Sequence, residues 1–64
     1  MNAGWIEASK QLPDSDLMVL VHCPTDSEPV WLGFHDGTFW LTAEGDYLNE
    51  GFVAHWMNLP EPPE

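Results

Sequence analysis

The chain has 64 residues and a mass of 7.2 kDa, and its 11 acidic residues face a single base, Lys10, for a net charge of −10 and a pI of about 4.1. One lysine builds no basic patch, which excludes a direct nucleic-acid binder and a partner of anionic membrane surfaces. One cysteine, Cys23, excludes an internal disulfide, while four Trp, three Phe and one Tyr argue for a folded domain rather than a disordered one.

The elements read as follows along the chain. Trp5-Ile6 is a short apolar pair, and the segment around it is expected to pack across one face of a sheet. Leu12-Pro13 breaks any helix, and Asp14-Ser15-Asp16 reads as a turn. Leu17 to Cys23 is apolar at both alternating sets of positions, the pattern of a strand covered on both sides. Pro24 to Pro29 is polar, flanked by prolines and therefore a loop.

Val30 to Thr42 carries the strongest local signal. Asp36-Gly37 sits between two aromatic-rich segments and predicts a hairpin with a two-residue type I′ turn. That register opposes His35 to Thr38, Phe34 to Phe39, Gly33 to Trp40 and Leu32 to Leu41. Alternation then puts Val30, Leu32, Phe34, Phe39 and Leu41 on the expected core face, and Trp31, His35, Thr38, Trp40 and Thr42 on the other. Ala43 to Gly51 is an acidic loop with room for one helical turn, and Phe52 to Met57 reads as the last strand. The prolines of residues 60–64 exclude a sheet interior and give an extended tail. The expected fold is one small β-rich domain over residues 1–64: an antiparallel meander of three to four strands, a Trp-rich core and short helical turns. So small a domain buries only about 60% of its unfolded surface, so its stability is marginal.

Trp5-Ile6, Leu12-Pro13, Val19-Leu20-Val21, Gly33-Phe34, Asp36-Gly37, Phe39-Trp40 and the ending His55-Trp56-Met57-Asn58-Leu59-Pro60-Glu61-Pro62-Pro63 stand in a familiar order. Nearly the whole chain resembles the small phage and prophage proteins grouped as domain of unknown function 551. That family usually ends in His-Trp-Met-Pro-Leu-Pro and a Pro-rich tail, and here Asn58 stands in the place of the first of those prolines. The resemblance implies a phage or mobile-element origin and action inside a bacterial host, in the cytoplasm. It transfers no catalytic residue. Small acidic phage proteins include inhibitors of bacterial defence, among them anti-CRISPR proteins that mimic DNA, and the likeness to those is one of size, charge and origin.

The acidic residues are the candidate partner-binding set: Asp14, Asp16, Asp26, Glu28, Asp36, Glu44, Asp46 and Glu50, all in expected turns or loops. A solvated rim that keeps a Trp-rich domain in solution accounts for some of them. Solubility, however, needs only a few net charges and is served by mixed signs. In extended chain, carboxylates at i and i+2 stand roughly 6–7 Å apart on one face, near the step between successive phosphates of a strand. A dense negative field also steers a small protein into a basic groove. The expected partner is a host protein with a basic nucleic-acid-binding groove, such as a CRISPR effector subunit, met by a monomer or weak homo-oligomer. The alternative is a phage accessory module with a structural role.

Other chemistries are weaker. His22, Cys23, His35 and His55 are the available soft ligands, but His22 and Cys23 point to opposite faces of a strand and no paired metal-ligand spacing exists. Glu44-Gly45-Asp46 lacks the repeated oxygens of a calcium loop. Cys23 in an apolar strand is an inert small hydrophobe, and carboxylates in open loops lack the dry pocket that an acid/base pair needs. A stacking platform of tryptophans for single-stranded bases would come with a cationic groove, which this composition denies. The sequence therefore predicts a binding protein with no catalytic, cofactor or metal site.

Overall fold

The computed structural model describes residues 4–49 and 51–63. Its regular elements are five strands: β1 (Ile6–Glu7), β2 (Val19–His22), β3 (Val30–His35), β4 (Trp40–Thr42) and β5 (His55–Asn58). They form one antiparallel sheet in the order β1-β5-β2-β3-β4. The expected β-rich antiparallel fold is thus present, with β2-β3-β4 as its meander. The sheet is wider than three to four strands because β5 returns to pair with β2 and β1 adds to its far side. Of the N-terminal segment, Ile6–Glu7 joins the sheet as a border strand, while Ala8 packs on the core and the Gln11 carbonyl lies over the core face against Trp56. After β1 the amides of Lys10 and Gln11 both donate to the Glu7 carbonyl, making one helical turn.

The hairpin at Asp36-Gly37 forms, in a different register. His35 pairs with Trp40, Phe34 with Leu41 and Gly33 with Thr42, so the loop holds four residues, 36–39, instead of two. The reason is local. The Asp36 carboxylate accepts the amides of Thr38 at 2.8 Å and Phe39 at 2.7 Å, and the Asp36 amide donates to the Phe39 carbonyl. A side chain that satisfies two turn amides favours the wider loop over the type I′ pair. Gly37, at φ +102°, supplies the left-handed residue, and its amide donates to His35 Nδ1 at 3.1 Å.

Opposed residues of an antiparallel ladder share a face. One face carries Ile6, Trp56, Val19, Val21, Gly33, His35 and Trp40. The other carries Glu7, His55, Met57, His22, Leu20, Leu32, Val30 and Phe34. The core lies on the first face, where Val19 and Val21 are fully buried with Cys23, Val53 and Trp56. The expected core face is the uncovered one: Leu32 is 48% exposed and Val30 50%, and Phe39, in the loop, is 53% exposed, whereas His35 is buried. Of that expected set Leu41 is buried and Phe34 half-buried. The inversion has a non-local cause. After β4 the chain turns back and bridges Tyr47 to Leu41, then lays Leu48, Phe52 and Val53 over the first face. Phe52 and Val53 therefore cap the core outside β5 instead of opening it. β2 is covered on one side only, with Leu20 and His22 half-buried on the other. Among the tryptophans Trp56 alone is buried, and its Nε1–H donates to the Gln11 carbonyl at 2.8 Å. Residues 59–63 are exposed and lie outside the strands. Among the described residues no helix is long and apolar enough to cross a membrane.

Candidate interaction surface

Chain order left the spatial grouping of the acids open, and the antiparallel sheet sorts them into two sets. Asp14 and Asp16 precede β2, and Asp36 opens the β3–β4 loop, so all three lie at one end of the sheet. The Asp16 amide donates to the His35 carbonyl at 2.8 Å, which ties the two loops together. Asp16 holds this place with φ +63°, a left-handed conformation that Asp and Asn tolerate. Asp26 and Glu28 lie between β2 and β3, and Glu44 and Asp46 follow β4, so these four share the opposite end. There the Ala43 amide donates to the Leu32 carbonyl, and Asp26, Thr42 and Tyr47 line one small depression. Glu50 lies outside the described residues.

The electrostatics of the two ends are uncompensated. Lys10 is the sole Lys or Arg, and its Nζ pairs with Glu7 at 2.9 Å; among the described residues it forms no ion pair with either set. The Lys10 contact holds the Glu7 carboxyl below its ordinary value, and Glu7 in turn raises Lys10. The hydrogen bonds from the backbone amides of Phe39 and Thr38 hold Asp36 below the usual carboxylate range. Asp36 therefore stays anionic at neutral pH. Between the two ends lies the uncovered sheet face with Val30 and Leu32, spanned by the six residues of β3, roughly 17–20 Å of strand.

Two features escaped the sequence reading. The first is an open groove of about 900 Å³ on the core side, walled by His35, Phe39, Trp40, Tyr47, Leu48 and Val53. His35 Nδ1 accepts the Gly37 amide, and the ring stands edge-on to Trp40 at 5.1 Å, so this histidine holds the loop and the wall in place. No described residue of the groove wall is a carboxylate, thiol, lysine or arginine. The second is a histidine pair on the uncovered face. His22 and His55 oppose one another across β2 and β5, with Nδ1 atoms 3.2 Å apart and rings 5.3 Å apart. Trp5 stands 5.8 Å from the His22 ring. The two histidines are far apart in the chain, so only the strand pairing reveals them. Cys23 is buried, and desolvation first, then the nearby Asp26 charge, raises its thiol above the ordinary value. A nucleophilic thiolate is disfavoured there.

The family described as protein of unknown function (DUF551) matches residues 4–64, and the chain belongs to that family. No curated protein and no solved structure matches the chain.

Proposed function

We propose that this DUF551 protein works by binding rather than by catalysis: it is a phage-derived inhibitor that acts in the cytoplasm of a bacterial host. Its target is a nucleic-acid-binding defence protein, such as a CRISPR effector subunit, whose basic groove it occupies in place of DNA. One observation carries the reading. Asp14, Asp16 and Asp36 gather at one end of the sheet and Asp26, Glu28, Glu44 and Asp46 at the other, and among the described residues none of them is ion-paired. Two such anionic ends on so small a body steer it toward a cationic groove and reject other acidic surfaces. The half-exposed Val30 and Leu32 between them supply apolar contact that a purely electrostatic encounter lacks.

The test is capture of the partner from host lysate at low and at high salt, then titration of the purified partner with and without a DNA competitor. DNA and the protein should exclude one another, and binding should weaken steeply with salt. Asp14→Lys with Asp16→Asn, or Glu44→Lys with Asp46→Lys, should lower affinity, with one end mattering far more than the other. The Asn keeps the left-handed backbone at position 16. Simultaneous binding of DNA and protein, indifferent to every reversal, sinks the mimicry. The uncovered Val30–Leu32 surface favours a second reading, an accessory module inside a phage assembly. That reading expects a phage structural protein as partner, held at high salt and released by Leu32→Ser.

A further inference from the structure

The geometry points to a two-histidine binding site for a borderline first-row divalent cation of the Cu²⁺, Ni²⁺ and Zn²⁺ class, formed by Nδ1 of His22 and Nδ1 of His55. The two atoms stand 3.2 Å apart. Two nitrogens bound at about 2.0–2.1 Å to one metal lie about 2.9 Å apart at a right angle and about 3.4 Å apart at a tetrahedral angle. The observed separation falls inside that interval. The sheet sets it: His22 and His55 are direct partners across the β2–β5 ladder, so their side chains leave the same face side by side. Both rings are half-buried, and Trp5 lies against His22, which limits the rotamers open to the pair.

The donor type decides the cation. Imidazole nitrogens suit copper, nickel and zinc, while magnesium and calcium take oxygen donors. In the metal-free pair one Nδ1 carries a hydrogen and donates it to the other. A cation replaces that hydrogen; the donor ring takes its proton at Nε2 instead, and both rings remain neutral with Nδ1 free to ligate. Glu7 is the cross-strand neighbour of His55 on the same face and is the closest carboxylate along the row. Among the described residues no three His, Cys, Asp or Glu side chains stand together as a complete ligand set. The site is therefore bidentate from this chain, with its other positions filled by water or by a donor from a partner. It does not depend on the proposed inhibition.

The probe is Cu²⁺ alone, titrated into the full chain at neutral pH in a non-coordinating buffer and followed by visible absorption and calorimetry. One Cu²⁺ should bind per chain, and His22→Gln and His55→Gln should each weaken it by about tenfold or more. The double variant should keep only weak background binding by surface carboxylates. Circular dichroism of the metal-free variants should match the parent, since both side chains are half-exposed. A measurement on the unaltered chain adds an independent check: Cu²⁺ should broaden amide resonances around His22 and His55 first. Parent-like affinity in the double variant overturns the site, as does broadening centred on Asp26–Glu28 or Glu44–Asp46.

Discussion

Gly33 lies against the backbone of Leu41 so closely that a Cβ on Gly33 would stand 2.6 Å from the Leu41 carbonyl oxygen, with the Val21 methyls just beyond at 3.5 and 3.6 Å. The obstacle is backbone in a paired strand, which has no rotamer to move away. Gly33→Ala should therefore destabilise the protein by about 1–3 kcal/mol or more. A core of this size supplies only about 3–5 kcal/mol, so the variant should unfold at a clearly lower denaturant concentration than the parent. Chemical denaturation measures it, and an unchanged midpoint would mean that β4 shifts freely.

Trp56 is the one buried tryptophan, and its Nε1–H is satisfied by Gln11. Trp56→Phe removes that hydrogen bond, leaves the Gln11 carbonyl without its donor and opens space beside Val21. The combined cost should be about 2–4 kcal/mol, from cavity and lost bond together. Leu32→Ser, on the uncovered face, should cost under about 1 kcal/mol in the same assay. Equal losses at the two positions would contradict the assignment of the core to the Trp56 face.

The Asp36 loop has a definite pH signature. Its folded-state carboxyl titrates below the unfolded value, chiefly through the Phe39 amide and then that of Thr38. The stability it contributes is fully present above the unfolded pKa, near 4, and is lost as pH falls through the lower folded value. Melting temperatures should thus fall below about pH 4, and Asp36→Ala should flatten that part of the curve while lowering the plateau. A variant with the parent's acid-limb slope would show that the carboxylate does not hold the loop.

Cys23 should stay silent toward thiol reagents in the native state. It is fully buried, and burial raises its thiol above the ordinary value. Labelling by a disulfide reagent at pH 8 should therefore proceed at the rate of opening and become fast in denaturant. Labelling as fast as that of a free thiol in native buffer would place Cys23 at the surface.

Added salt should raise the melting temperature, because carboxylates gather at each end of the sheet and, among the described residues, are not ion-paired there. A melting temperature flat from low to moderate salt would mean that the charges are too dispersed to matter, and would remove the energetic basis for two anionic ends.

Local chemistry was legible and long-range cover was not. Asp36-Gly37 announced a hairpin, but the register depended on a carboxylate choosing its own loop amides over a tighter turn. Val30, Leu32 and Phe34 outnumber their strand neighbours in apolar character, and on β3 alone they look like a core. What buries a face, however, is the segment that folds over it. Leu48, Phe52 and Val53 arrive from beyond β4 and cover Val19, Val21 and Trp56 instead. The acids were legible as a set and not as two ends, since that grouping follows from strand directions. His22 and His55 each read as a lone strand histidine, and they become a pair only once β5 inserts next to β2.

The way the sheet ends has a consequence for how this protein behaves when concentrated. On one side the Leu41–Tyr47 bridge occupies β4, and on the other β1 offers only two residues. Neither border presents a long row of free amides and carbonyls, so growth by strand addition has little to template it. Crowded molecules should associate through the Val30–Leu32 surface, reversibly and in a salt-dependent manner, rather than as fibrils with a cross-β repeat. Prolonged incubation at millimolar concentration with an amyloid-binding dye should give no signal.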